Sequence, residues 1–337
     1  MDFPFTTLDV FTSTQLEGNP LAVVQVPASQ RDRLTQPLKQ KIAREFNLSE
    51  TVFLHDDTSK SGPDARDVDI FTIESEIPFA GHPTIGTAVL VQQQTGGSVR
   101  SLVTKAGPIG IEPSPLGIRA KIPHNVHLHA KTLRDVQQSS SSAELEALVA
   151  AGLHPNPAIS AAELEAPVFS IVNGMTFALV RLESLELLRE VRPLRLDFEK
   201  LAPAILDEGW RESFCARYYY VDVDVEGDGD GGEGGEEEEG EEGLRCLRTR
   251  MVELGFEDPA TGSAASALGA YLTLKQEKKA TKFRMTQGVE MGRKSVISVE
   301  TTVEGGKGGG NGEAKIGDLY LGGTAVVVMQ GTLKVNV

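Results

Sequence analysis

The sequence predicts an α+β protein built from two similar halves, each with strands wrapped round one apolar helix. Two observations carry that expectation. Short stretches rich in Val, Ile, Phe, Thr and Tyr, such as FTTLDVFT, PLAVVQV and ARYYYVDVDV, recur along the chain between turn residues, which is how strands read. In addition, FAGHPTIGTAVLVQQQ in the first half has an echo in DPATGSAASALGAYLTLKQ in the second. In each, a loop of Pro, Gly and Thr or Ser feeds a helix rich in Ala, Leu and Val, preceded by a strand and followed by more. A helix apolar on every side must be covered on every side.

The elements follow in order. FTTLDVFT and PLAVVQV read as strands around the loop TQLEGN. Pro37 to Phe46 carries helical apolar spacing through Leu38, Ile42 and Phe46, with proline in the first turn. SETVFL and VDIFTI are short strands. PTIGTAVLVQQQ reads as a helix beginning at Pro83, and SLVTKAG, IGIEP and GIRAKIP as a meander. Residues 127–166 are mixed, with Ser139 to Ser142 placed to cap the helix AELEALVAAG. PVFSIVNGMTFALVRL is a hairpin turning at Asn173-Gly174. Residues 196–208 read as helix, and ARYYYVDVDV and LRCLRTRMVEL as a strand pair. Halves are expected at 1–125 and 126–337, with the last strand returning to the first half. The acidic stretch 226–243 and the glycine-rich stretch 305–312 read as loop insertions, the former disordered for want of anything to bury.

The net charge is −15, but ten acids and no base fall between Glu226 and Glu242. No basic stripe is present, which argues against a nucleic-acid partner. Two cysteines, Cys215 and Cys246, make no disulfide framework in 337 residues, and fit a reducing interior. The N-terminus lacks a basic region followed by an apolar run, and no stretch reaches the roughly 20 apolar residues of a bilayer span. The expectation is a cytoplasmic protein without a membrane partner.

Helix N-termini leave backbone N–H groups without intrahelical acceptors, and with the helix dipole these attract anions. Gly81 to Gly86 and Thr261 to Ser263 stand at such starts, with small residues that admit a ligand to the backbone. The plain alternative is that the glycines and alanines serve close helix–strand packing. Other chemistry is excluded by pattern. GHPTIGT lacks the lysine of a P-loop; no GxGxxG opens a helix after a strand; no GxSxG elbow presents a serine; and nothing in the spacing demands a triad of Ser263, His82 and Asp258. The acid–base candidates are Glu50, Glu76, His82, Glu257 and Asp258. Burial among Leu48, Val52 and Phe53 would raise the pKa of Glu50 and fit it for proton transfer near neutrality; an exposed glutamate at a strand start is the alternative. Asp258 is equally suited to capping the helix after it, Glu76 to bracing its loop, and His82 to a satisfied loop position. His124, His127 and His129 cluster, the last two on one strand face. They lack a further ligand at metal-site spacing and read as a solvated strand, so no metal is expected.

Taken together, LDVFTSTQLEGNPLAVV, NLSETVFL, EIPFAGHPTIGTAVL and GFEDPATGSAASALGAYL resemble the PhzF-like phenazine biosynthesis proteins, which share the fold of diaminopimelate epimerase. QGVEMGRKS and GGTAVVVMQGTLKV match more loosely, and the two insertions depart from the family pattern. The resemblance implies pseudo-symmetric strand barrels round central helices, with the active site between them. It implies a cofactor-free isomerase in which a glutamate moves a proton on a cyclic dihydro-hydroxyanthranilate. The family's glutamate falls on Glu50 and its Gly-His on Gly81 and His82. Its aspartate and serine fall on Asp258 and Ser263, and its Gly-Asn-Pro on Gly18, Asn19 and Pro20. The two opposed cysteines of true diaminopimelate epimerases correspond to Ala80 and Pro259, so a two-thiol mechanism is not expected.

The resulting expectation is an isomerase with Glu50, His82 and Asp258 as catalytic groups. Gly18, Asn19, Pro20, Gly81, Thr261, Gly262 and Ser263 bind a small carboxylate-bearing substrate held between two helix N-termini, in a homodimer. An amino-acid racemase or epimerase without a thiol pair, and a non-catalytic ligand-binding or adaptor protein, are the alternatives.

Overall fold

The computed structural model describes residues 1–59, 62–139, 142–224, 243–253, 255–276, 280–305 and 314–335. Apart from their end residues Gly243 and Gly305, the two insertions lie outside the described residues. Contacts divide the chain into two units. One comprises Met1–Ile122, Gly292–Ile297 and Tyr320–Val337, the other Pro123–Met291 and Ser298–Leu319.

The N-terminal unit opens with β1 (Asp2–Val10), β2 (Asn19–Val26), α1 (Gln36–Phe46), β3 (Thr51–Ser59), β4 (Gly62–Phe71) and β5 (Glu76–Ile77). There follow α2 (Gly81–Thr95), β6 (Ser101–Thr104), β7 (Gly107–Ser114) and β8 (Gly117–Lys121). β2 is buried along almost its whole length, as a strand covered on both faces requires, and it runs parallel to β3. α1 lies across the connection between them. Its Ile42 and Ala43 join Phe3, Val24, Phe53 and Phe71 in an apolar cluster, and it ends at Asn47 in the left-handed region (φ 51°).

α2 has no polar face along its first eleven residues, and Gly81 through Val91 are all buried. β1, β2, β3 and β8 pack round it. Gly86 sets the closest approach: a Cβ there would stand 2.6 Å from Val10 Cγ2 and 2.7 Å from Leu21 Cδ2. The helix starts at Gly81, two residues before Pro83. Ala80 is extended and accepts the Thr84 N–H, so proline falls inside the first turn, where its missing N–H costs nothing.

The C-terminal unit contains β9 (His127–Leu128), α3 (Leu133–Ser139), α4 (Ala143–Gly152), α5 (Pro157–Glu165), β10 (Val168–Val172) and β11 (Met175–Arg181). It continues with α6 (Leu185–Glu190), α7 (Phe198–Ile205), β12 (Phe214–Val223), β13 (Leu244–Glu253), β14 (Phe256–Asp258), α8 (Gly262–Gln276) and β15 (Ala280–Gln287). β16 (Ser295–Glu304) joins this unit from Ser298. Helices α3, α4, α5 and α7 form a second apolar cluster with β10 to β12, through Val136, Val149, Ile159, Leu201 and Tyr219. Beneath them Arg217 and Glu163 are fully buried and paired at 3.0 Å. Arg217 also donates to the Gly152 and Leu194 carbonyls, and Glu163 accepts from Tyr219 Oη at 2.5 Å and the His154 N–H at 2.8 Å.

The strand pairings reveal a duplication that the letters barely show. In the first unit β1 is antiparallel to β2, β2 parallel to β3, β3 antiparallel to β4, β4 antiparallel to β5 and parallel to β6. In the second, β10 to β15 repeat the series in the same order: β10 antiparallel to β11, β11 parallel to β12, β12 antiparallel to β13, β13 antiparallel to β14 and parallel to β15. The buried helix falls at the same step in both, α2 between β5 and β6, α8 between β14 and β15. α8 is packed by β10, β11 and β15, and a Cβ on its Gly269 would stand 2.7 Å from Val299 Cγ1.

The last strands are β17 (Lys315–Gly323) and β18 (Ala325–Lys334). β18 pairs with β1 from Asp2↔Lys334 to Val10↔Ala325, and Tyr320–Gly323 pair with β8. The chain's end therefore completes the unit in which it began.

Candidate active site

Glu50 is the residue before β3, and His82 is the second residue of α2. The β2–β3 pairing that surrounds α2 brings them together, with His82 Nδ1 3.3 Å from Glu50 Oε2. His82 is 5% exposed. The Glu50 side chain is 18% exposed as a whole, but its Oε2 is buried and makes no hydrogen bond. Burial raises the Glu50 pKa, outweighing a hydrogen bond with the Ser49 side chain. Of the two readings open for this glutamate, the structure supports the buried one.

The Gly18–Asn19–Pro20 turn enters β2 from the same unit. Gly18 has φ 66°, and a Cβ on it would collide with the Val10 carbonyl at 2.4 Å. Asn19 is buried. The turn is held by a residue that sequence reasoning did not single out. Arg293 donates to the Gly18 carbonyl (2.8 Å), the Glu17 carbonyl (3.0 Å) and Asp9 Oδ1 (2.7 Å). Asp9 Oδ2 in turn accepts the Leu16 N–H at 2.6 Å.

In the C-terminal unit Asp258 ends β14, and Thr261 immediately precedes α8. Thr261 Oγ1 donates to Asp258 Oδ2 at 2.6 Å. The Thr261 N–H, expected to face an anion, is directed instead to Gln287 Oε1 at 3.3 Å. Thr261 therefore ties the loop to β15, and Gly262 and Ser263 are the first-turn residues left to act as donors. Ala265 N–H already closes on the Thr261 carbonyl.

Two of the acid–base candidates are engaged elsewhere. Glu257 takes Arg250 in a bidentate pair, 2.7 Å on each oxygen, while Arg250 also donates to the Leu188 carbonyl. Glu76 braces its loop against Lys105 at 3.5 Å. Cys215 and Cys246 do not form a disulfide.

The histidines differ from the solvated strand expected of them. His129 is 5% exposed. His127, His129 and Asp207 place their ligand atoms within 4.8 Å of one another. In the structure these groups are hydrogen-bonded to one another and to Ser170. His129 Nδ1 accepts the Asp207 N–H (3.1 Å), Nε2 meets Ser170 Oγ (2.9 Å), and His127 Nε2 is bonded to Asp207 Oδ2 (2.8 Å). Burial, aided by neighbouring His127, pulls the His129 pKa down to about 4, so the ring is neutral. Among the described residues no helix is long and apolar enough to cross a membrane.

The family model described as phenazine biosynthesis-like protein matches residues 8–226 and 248–331, a span that contains every candidate residue. An uncharacterized isomerase of Mesorhizobium japonicum is 32% identical over 334 residues, 96% of each chain. The chain belongs to the PhzF-like phenazine biosynthesis family. This PhzF-like chain is an isomerase, the class named for that bacterial relative. The trans-2,3-dihydro-3-hydroxyanthranilate isomerase of Pseudomonas aeruginosa is 29% identical over 305 residues, 86% of this chain and 87% of that one. Among solved structures, the PhzF-family phenazine biosynthesis protein of Bacillus anthracis superposes with a TM-score of 0.67 at 19% identity, covering 99% of this PhzF-like chain and 100% of its own. That likeness concerns the fold.

Proposed function

We propose that the chain is a cofactor-independent isomerase that moves a proton between carbons of a small, cyclic, carboxylate-bearing substrate, with Glu50 as base and then acid. One observation carries this reading. Glu50 Oε2 is buried, makes no hydrogen bond, and lies 3.3 Å from His82 Nδ1 at the start of a helix. A carboxylate deprived of solvent takes up a proton more readily and returns it as a usable acid, the property a single-residue proton shuttle needs. The backbone N–H groups of Gly81 and His82, at the positive end of α2, suit the substrate carboxylate; those of Gly262 and Ser263 are the corresponding donors of α8. Gly18, Asn19 and Pro20 line the approach. Asp258 and His82 orient the amino or hydroxyl groups and help relay the proton.

The name of the Pseudomonas aeruginosa relative supplies the probe. The wild-type protein is incubated with trans-2,3-dihydro-3-hydroxyanthranilate in deuterated water and the product examined by NMR. The reading expects a shifted double bond, with deuterium at the receiving carbon only to the extent that the proton held by Glu50 exchanges with solvent before it is returned. Deuterium entering one centre with inversion and no shift favours a racemase. An unchanged probe counts against this substrate class.

A further inference from the structure

We infer that Gln287, at the end of β15, is a positioning residue for Asp258. The inference rests on the role proposed for Asp258 but concerns a group to which no role has been assigned.

Gln287 is fully buried, and both ends of its amide are used. Nε2 donates to the Asp258 carbonyl (2.8 Å) and to Thr261 Oγ1 (3.0 Å). Oε1 accepts the Thr261 N–H (3.3 Å) and the Tyr218 hydroxyl (3.0 Å). The donor ends of this network fix its direction. The Asp258 carbonyl is an acceptor only, so the NH₂ group of Gln287 must face it. That leaves Oε1 toward Tyr218 and the Thr261 amide, both of which have a hydrogen to give. Thr261 Oγ1, receiving from Nε2, turns its own hydrogen to Asp258 Oδ2 at 2.6 Å. A buried glutamine thus sets the rotamer of a threonine, and the threonine sets the orientation of the carboxylate.

The first unit reaches the same end differently. There the Ala106 N–H donates to the Pro78 carbonyl, a main-chain tie on the loop ahead of α2. A backbone tie holds a loop but gives no control of a side chain. The glutamine tie stands in the half where an aspartate ends the strand ahead of the helix.

Gln287→Met keeps bulk and removes all four hydrogen bonds; Thr261→Val removes only the hydroxyl; Thr261→Ser keeps it. On trans-2,3-dihydro-3-hydroxyanthranilate, Gln287→Met and Thr261→Val are expected to lower kcat at least tenfold with KM changed less than threefold, and Thr261→Ser to lose clearly less. In an Asp258→Asn background, Gln287→Met should change kcat less than twofold, because the residue acts through the carboxylate already removed. Equal losses in both backgrounds, or full kcat in Gln287→Met, would overturn the inference. A second readout needs no substrate. Methyl three-bond couplings of Thr261 should report one rotamer in the wild type and averaging in Gln287→Met. A single rotamer retained in the variant overturns the positioning role, whereas a wild type inert toward the probe overturns only the substrate reading.

Discussion

Oε2 of Glu50 and Nδ1 of His82 lie 3.3 Å apart, one at the mouth of a strand and the other in the first turn of the helix that the strand covers. Neither position is costly to build. What is costly is one carboxylate oxygen, Oε2, which is buried and makes no hydrogen bond. That cost makes the residue testable by stability as well as by rate.

Glu50→Gln should stabilise the fold at neutral pH by about 1 kcal/mol, as the loss of a strained functional charge commonly does. The sign follows from linkage. The folded pKa is raised above the unfolded one, so the native state holds the proton more tightly, and wild-type stability falls as pH rises past the unfolded value of 4.5. The difference in Tm between variant and wild type should therefore widen from pH 4 to pH 7. A difference that shrinks over that range contradicts the buried carboxylate.

Asp69 should behave in the opposite sense. Burial alone would raise its pKa, but hydrogen bonds from His55 (2.7 Å) and Lys39 (2.5 Å) outweigh this and bring it down to about 2. Its stabilisation is present above the unfolded value of 3.8 and is lost as pH falls through about 2. Asp69→Asn should cost on the order of 2 kcal/mol at pH 7 and much less near pH 2, read from denaturant melts.

His129 adds a second acid-sensitive step at higher pH. Its folded pKa is about 4 against an ordinary 6.5, so the unfolded chain takes the proton first. Stability should fall as pH drops from 6.5 toward 4, by up to about 3 kcal/mol. His129→Gln should be less stable at pH 7 but lose this slope. A wild-type curve flat across that window would contradict the neutral, hydrogen-bonded ring.

Glu163 and Arg217, both fully buried, should be intolerant of single loss. Glu163→Gln or Arg217→Met is expected to cost about 3–5 kcal/mol, because each leaves its partner's charge uncompensated. The double variant Glu163→Gln with Arg217→Met should recover part of that loss. Thermal melts of the three proteins check this.

Much of the fold was legible because its signals are local. The Asn173-Gly174 turn, the proline-led α1 and the all-apolar α2 and α8 are set by residues next to one another in sequence. Gly86 serves close packing, as the plain reading of the small residues allowed, while Glu50 and His82 meet beside the same helix. The duplication is stored in strand order, which a comparison of letters sees only faintly. Gln287, Arg293 and the Arg217–Glu163 pair were not legible, since their partners lie 26, 275 and 54 residues away. A polar side chain in a strand gives no local sign that it is buried. The sequence QGVEMGRKS stood out only as a loose family match, although it carries both Gln287 and Arg293.

The measurement that bears most directly on the account pairs binding with turnover in Glu50→Gln. Binding of trans-2,3-dihydro-3-hydroxyanthranilate is followed by calorimetry, and the double-bond shift by NMR. The account predicts binding within a few-fold of wild type and a rate at least 100-fold lower, the range expected when a general base is removed. A double-bond shift at the wild-type rate in that variant would contradict it.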